Sequence, residues 1–332
     1  MNQNKDKKYF AIIDTLRGIA SLMVVIVHIS FNLDKSWLTM IAAYGQHGVI
    51  IFFVISGFII PYSLDNGKYT LQNISDFLLR RILRINPPYY VILFLTILFY
   101  IVIKQLNPNA NDEYLNITGS NVLFHLTYLV PFVGVSWYNN IFWTLAVEFQ
   151  YYILIALLYP LLNKNRYLLI IGMIVISFSH HLPYAKETIT ILNYSTPFLI
   201  GVSIYLYKSN RINKQQIIIT SIALFWLCQS QISGQRMLFA LFTYLGIMFS
   251  QFSSPITNFL GKISCSLYLT HSLLFMVLFS LIKKLIDFDN ILFIKEILAL
   301  LFIFLSIPIA YLFYIIIEKP SIAIAVKYKL RN

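Results

Sequence analysis

Residues 10–29 read FAIIDTLRGIASLMVVIVHI. A helix of roughly 20 residues, rising about 1.5 Å per residue, crosses the hydrocarbon of a bilayer. The run is apolar apart from Asp14, Thr15, Arg17, Ser21 and His28, so it reads as a membrane span that carries polar groups a membrane normally excludes. Comparable apolar runs recur at 49–63, 87–103, 141–162, 168–179, 189–207, 217–228, 237–250, 263–281 and 291–317. In hydrocarbon each backbone must satisfy its own hydrogen bonds, so each run predicts a helix. The expected architecture is therefore all-α and polytopic, with ten transmembrane helices forming one membrane domain over 1–332 and short tails over 1–9 and 319–332.

The composition of the 332 residues agrees. Hydrophobic residues make up 58% and charged residues 11%, with a mean hydropathy of +0.73. Soluble domains hold about 45–50% apolar and about 25% charged residues, so too little polar side chain is present to clothe a water-facing surface. Pro61, Pro87, Pro88, Pro131 and Pro160 fall near predicted helix ends, where a missing N–H costs least. The longest connection, 104–140, contains an apolar stretch at 122–133 that predicts a re-entrant segment or an interfacial cap.

The basic residues set the orientation. With the N terminus inside, external segments hold only Lys35, Lys104, Lys186, Arg236, Lys283 and Lys284. Cytoplasmic segments hold the larger share, among them Lys5, Lys7, Lys8, Arg80, Arg81, Arg84, Lys164, Arg211, Lys262 and Lys327. This bias predicts a cytoplasmic membrane protein with both termini inside. It also accounts for most of the net charge of +12 through topology and anionic lipid, without a nucleic-acid partner. The first span resembles a signal peptide but is long and lacks a small-x-small cleavage site, so it is expected to be retained. The two cysteines, Cys228 and Cys265, both lie in apolar runs, which argues against a disulfide framework and against a metal site.

Chemistry is then sought among the polar residues of the spans. Asp14, Arg17, Ser21 and His28 fall within an arc of about 60° on a helical wheel, and Arg17 and His28 are separated by about three turns. This face is either a polar track or a structural Asp14/Arg17 pair with His28 emerging at the outer interface. Helical spacing stacks Arg80 and Arg84 with Arg81 alongside; the three guanidinium groups either anchor the topology or bind an anion such as the phosphates of coenzyme A. Glu148 lies two turns into an aromatic span. It is either protonated for structure, or orients a histidine or a substrate hydroxyl. Ser264, Tyr268 and His271 share one helical stripe, and His271 ranks below His28 as a catalytic candidate.

Six motifs together resemble the acyltransferase 3 family of membrane O-acyltransferases. They are Arg17 and His28 with ten residues between them, the FFVISGF run at 52–58, the RRILRINP segment at 80–87, the WTLAVE run ending at Glu148, the SCSLYLTH run ending at His271, and the EKP triplet at 318–320. The resemblance covers most of the chain. It implies a ten-helix fold that draws acyl-coenzyme A, with acetyl-coenzyme A as the expected donor, from the cytoplasm and passes the acyl group to a hydroxyl of a cell-surface or lipid-linked glycan. It further implies that His28 is catalytic, that Arg17, Arg80, Arg81 and Arg84 serve the donor, and that Glu148 supports the centre, with Asp14, Ser264, Tyr268 and His271 as supporting candidates. Coenzyme A is then a co-substrate, with no bound cofactor. His47, Ile51, Phe149 and Cys265 depart from the family pattern, which bears on the acceptor's shape more than on the chemistry. The rival reading is a proton-coupled or glycan/lipid transporter using the same polar track, against which the lack of paired hydropathy repeats counts.

Overall fold

The computed structural model describes residues 10–30, 37–106, 117–165, 190–231, 234–282 and 294–328, together with 168, 171, 172, 174, 175 and 178. The elements among the described residues are helical. Helix α1 is Ala11–Ser30 and α2 is Trp37–Ala42, which passes through a 3-10 turn, Ala43–His47, into α3, Gly48–Asn66. There follow α4 (Ile74–Leu106), the short α5 (Gly119–Leu126) and α6 (Val130–Val133), α7 (Phe142–Lys164), α8 (Ile191–Lys208), α9 (Lys214–Gln231), α10 (Gly234–Phe249) and α11 (Pro255–Ile282). Last come α12 (Ile294–Phe313), a π-helical turn at Tyr314–Glu318, and α13 (Lys319–Lys327).

Six of these helical stretches are long and apolar enough to cross a membrane: Ala11–Ile29, Ala43–Asn66, Leu71–Leu106, Phe142–Leu161, Pro255–Ile282 and Glu296–Lys327. The other expected spans divide into two kinds. The run at 168–179 lies largely outside the described residues. Helices α8, α9 and α10 form where the sequence predicts them but have only 18, 18 and 16 residues. Helix α8 does not face lipid: residues 195–206 are all buried. A helix sheathed by other helices can carry Ser195, Thr196 and Ser203 without exposing hydroxyls to hydrocarbon, and Ser203 donates back to the Ile200 carbonyl at 2.7 Å.

Helix α4 departs from the sequence reading. The expected span begins at Pro87, whereas the helix starts at Ile74 and runs without a break through Pro87 and Pro88. Prolines inside membrane helices are tolerated because neighbouring groups re-satisfy the freed carbonyls. The consequence is that Arg80, Arg81 and Arg84 lie on the same rod as the apolar span. Pro61 and Pro160 likewise lie inside α3 and α7 instead of marking their ends.

Close helix contacts fix the bundle. With no hydrophobic force between helices in lipid, small residues that let backbones approach supply the packing. On the face between α1 and α11, a Cβ at Gly18 would stand 2.9 Å from Leu260 Cβ, and one at Gly261 would collide with the Asp14 carbonyl. Between α3 and α8, Cβ atoms at Gly57 and Gly201 would strike the carbonyls of Phe198 and Val54. These two seams hold α1 to α11 and α3 to α8.

The segment 117–138 lies alongside α4. Tyr89 and Tyr90 donate to the carbonyls of His125 (2.9 Å) and Leu126 (3.1 Å), Tyr128 donates to Asn86 Oδ1 (3.2 Å), and Tyr100 donates to the Tyr138 carbonyl (3.0 Å). Asn86 is twenty residues from the α4 end at Leu106, about 30 Å of helix. The segment therefore follows α4 well away from its C-terminal end, along the stretch from Asn86 to Tyr100.

Candidate active site

The α1–α11 seam brings two histidines together. His28 Nδ1 lies 2.8 Å from the Val24 carbonyl and His271 Nδ1 lies 3.1 Å from the Leu267 carbonyl. A carbonyl only accepts, so Nδ1 of each ring carries the proton in these bonds. His271 Nε2 then presents a lone pair, and it stands 3.3 Å from His28 Nδ1, close enough to share that N–H with Val24. His28 Nε2 is left with a lone pair and no hydrogen bond among the described residues. His271 is fully buried, and the edge of the Tyr268 ring backs it with 5.9 Å between centroids.

Tyr268 in turn is tied to α7. Its hydroxyl lies 2.6 Å from Thr144 Oγ1 and 3.1 Å from the Ile141 carbonyl, which it donates to. Asn139, just before that helix, accepts from Ser272 Oγ at 2.9 Å. Its buried amide nitrogen has no hydrogen-bond partner, so one N–H donor remains uncommitted near the residue that follows His271. Ser21 and Ser264 donate to the carbonyls three residues before them, Gly18 (2.9 Å) and Gly261 (2.8 Å). Folding both hydroxyls onto their own helices helps the seam close.

A second cluster surrounds Glu148. Its Oε1 accepts from Ser56 of α3 at 2.8 Å and from the Tyr152 hydroxyl one turn further along α7. The Arg81 guanidinium lies over the rings of Phe77 (5.2 Å) and Tyr152 (5.4 Å), with Glu148 and Arg84 as charged neighbours. Cys265 of α11 marks where the elements meet, since Glu318, Arg17, Arg84 and Glu148 are all its charged neighbours. Arg17 and Arg84 have no ion pair or hydrogen bond among the described residues, so the Asp14/Arg17 pair does not form. Asp14 instead abuts Gly261 through its backbone carbonyl. Arg80 lies further round, beside Asp76 and Arg81, with a buried Nε that has no hydrogen-bond partner.

The site therefore has two levels. Arg17, Arg81, Arg84 and Glu148 meet around Cys265, while His28 stands eleven residues above Arg17 on α1, about 16 Å along the axis. The structure does not bring Glu148 to His28; the ring beside His28 is His271. Three cations, Arg17, Arg81 and Arg84, face two carboxylates, Glu148 and Glu318, at the lower level, so positive charge is in excess there, and uncompensated charge inside a bundle is costly. Among the described residues no group of three or more His, Cys, Asp or Glu side chains is placed to hold a metal ion.

Several contributors lie outside the sequence-derived set. Ser56 sits in the quoted 52–58 run without an assigned role there, and Tyr152 closes the aromatic stretch after Glu148. Glu318, only 3% exposed, closes the π-helical turn and accepts from both the backbone N–H (3.1 Å) and the hydroxyl of Ser266. Single π-turns often mark functional sites. The 318–320 triplet was a usable signal; no spacing rule links it to Ser266.

Comparison with known proteins gives the following. The acyltransferase domain family matches residues 10–317. The peptidoglycan O-acetyltransferase OatA of Listeria monocytogenes is 29% identical over 156 residues, covering 45% of this chain and 24% of OatA. YrhL of Bacillus subtilis, provisionally named a peptidoglycan O-acetyltransferase, is 29% identical over 188 residues, 53% of this chain and 28% of YrhL. ORF330 of Acidianus two-tailed virus, provisionally named an acetyltransferase, is 29% identical over 218 residues, 61% of this chain and 60% of its own. The matches thus span about a quarter of the two bacterial relatives. No solved structure matches the chain.

Proposed function

The chain belongs to the acyltransferase 3 family, and from that premise we propose that it is a multi-pass membrane O-acetyltransferase that moves an acetyl group from cytoplasmic acetyl-coenzyme A to a hydroxyl of a cell-surface or lipid-linked glycan. The names of the bacterial relatives make peptidoglycan the first acceptor to test. In this reading α8, α9, α10 and the run at 168–179 join the six long apolar helices as spans, giving ten. The N and C termini face the cytoplasm, as the basic residues suggest.

The observation that carries the proposal is the His28 ring, which is tied through Nδ1 and uncommitted at Nε2, on the same helix as Arg17 and above the arginine-rich lower level. The donor's phosphates are held by Arg17, Arg81 and Arg84, with Arg80 at the entrance, and the pantetheine arm rises along the polar face of α1. Binding energy at the phosphates is then used to orient the thioester. His28 Nε2 takes the proton from the glycan hydroxyl as that oxygen attacks the thioester carbonyl. The resulting imidazolium is shared through Nδ1–H with the Val24 carbonyl and His271 Nε2. Collapse of the tetrahedral intermediate breaks the C–S bond, and the departing thiolate takes the proton from Nε2. Products are the acetylated glycan and free coenzyme A. Glu148 serves the lower level, holding Ser56 and Tyr152 and balancing Arg81, and the imidazole is oriented by Val24 and His271 instead.

The test uses the full chain in nanodiscs with acetyl-labelled acetyl-coenzyme A and peptidoglycan fragments. Label recovered as alkali-labile ester on the glycan is the expected result. Neither donor binding nor label transfer, with any short-chain acyl-coenzyme A, would contradict the enzyme reading, and label-free movement of glycan or lipid across the bilayer would replace it with transport.

A further inference from the structure

A third polar cluster lies outside both levels of the site. His47, at the junction of the 3-10 turn with α3, is 1% exposed, and its ring nitrogens make no hydrogen bond of full geometry, although Gln235 of α10 approaches them as a partner. A buried imidazole held by at most one weak hydrogen bond is unusual, because unmade hydrogen bonds in a dry interior are costly. Its ring packs against Phe239 of α10 at 5.1 Å, with Gln235 and Arg236 from the first turn of α10 beside it. Arg236 also borders the Tyr194 hydroxyl, and Tyr194 lies against Trp143 with 5.0 Å between ring centroids. One stripe down α7 from Trp143, the Gln150 amide oxygen accepts from Ile191 N–H at 2.9 Å while its buried nitrogen has no partner.

The first turns of α7, α8 and α10 therefore converge on one spot, each bringing a side chain suited to a polar ring: Trp143, Tyr194 and Arg236. Helix N-termini favour negative charge there, and the partnerless Gln150 nitrogen together with the under-bonded His47 ring points to a missing acceptor. The spot is at the His28 end of α1. His28 occupies the last turn of that helix, and a Cβ at Gly45, two residues before His47, would meet Val27 Cβ at 2.8 Å. None of these residues takes part in the donor chamber.

We propose that this cluster is an acceptor subsite for an acidic saccharide. Arg236 and the His47 N–H hold its carboxylate or phosphate, the Gln150 amide donates to a hydroxyl, and Trp143 and Tyr194 take the apolar face of a sugar ring. The assignment to the acceptor rests on the transferase reading; the anion preference of the site does not. The aromatic pair and the amide favour a saccharide over an anionic lipid headgroup, which needs neither.

The experiment measures binding of a carboxylated oligosaccharide and of its methyl ester, by intrinsic tryptophan fluorescence, to the full chain in phosphatidylcholine nanodiscs. The acid is expected to bind about tenfold or more tightly than the ester, as a charged hydrogen bond implies. Arg236→Gln should reduce that ratio to near one, and His47→Phe, which keeps the packing with Phe239, should reduce it several-fold. Normal size-exclusion profiles and melting curves establish that both variants fold. Equal binding of acid and ester by the parent, or a preference retained in Arg236→Gln, overturns the subsite. Displacement of the acid by phosphatidylglycerol added to the discs reassigns it to a lipid headgroup and overturns the saccharide proposal. Hydrolysis of acetyl-coenzyme A by the parent is read in the same preparation. An acid preference without hydrolysis removes the transferase reading and leaves the anion site; hydrolysis without the preference removes the site alone.

Discussion

The histidine pair and the Glu148 cluster are both polar islands inside the bundle, yet they are built to opposite ends. Around Glu148 the neighbours converge: two hydroxyls donate to the same carboxylate oxygen, and Arg81 sits under the ring of one of them. Around His28 they orient one nitrogen and leave the other free. A group enclosed by donors and a cation holds charge and geometry steady, whereas a group with one uncommitted lone pair can take and return a proton. On that difference rests the proposal that Glu148 serves position and His28 chemistry.

That contrast is broken most severely at His28. His28→Gln should lower acetyl transfer by about 10²–10⁴-fold with donor affinity unchanged, the span usual for removal of a general base. A loss of only a few-fold in kcat, measured on protein of normal yield, would remove His28 from proton transfer.

Glu148→Gln should reduce transfer by roughly 10- to 100-fold, because a charged hydrogen-bonding acceptor is worth about 1.5–3 kcal/mol. The expected signature is a shared loss in kcat and donor affinity, since Arg81 loses its counter-charge. A pure kcat loss as large as that of His28→Gln would instead place the carboxylate at the reacting atoms. Arg84→Ala is milder. Losing one charge-assisted contact to a phosphate should raise the donor KM by about tenfold with little change in kcat. An unchanged KM in Arg84→Ala and Arg81→Ala alike would return the arginines to topology anchoring.

The smallest effect is expected in the segment 117–138. His125 Nδ1–H donates to the Asn121 carbonyl at 2.7 Å and Nε2 accepts the Tyr138 N–H at 3.0 Å, and the second of these bonds requires a neutral ring. Burial lowers its pKa, against a smaller opposing contribution from the Asn121 bond. A depressed folded-state pKa gives stability that is present above the unfolded value of about 6.5 and is lost as pH falls from there through the folded pKa. The protection of 117–138 against hydrogen exchange, taken relative to the intrinsic rate at each pH, should therefore fall between pH 7.5 and 5, and His125→Phe should abolish that step. A protection factor that does not change with pH in the parent would show that the imidazole does not hold the segment.

Much of this was legible from sequence, because apolar runs at membrane length leave the backbone few alternatives. The failures have physical causes. Pro87–Pro88 looked like a helix start, but the bundle tolerates prolines mid-helix, so the arginines and the span share one rod. Helix α8 was visible as a run, but its burial was not, because Ser195 and Thr196 gain from neighbours that spacing does not reveal. The polar face of α1 follows from helical periodicity. Its partner does not: His271 reaches His28 across a sequence separation of 243 because Gly18 and Gly261 let α1 and α11 close together. Glu148 was readable as an anomaly, while its donor Ser56, on another helix 92 residues earlier, was not.

The central claim is that His28 and His271 work as one unit. It is tested most directly by a double-mutant cycle on kcat for acetyl transfer, using the parent, His28→Ala, His271→Ala and both together. The account predicts that His271→Ala alone slows transfer while adding almost nothing in the His28→Ala background, since its effect passes through the His28 ring. Losses that simply add would contradict it, placing His271 in the bundle as an independent residue with no hold on the base.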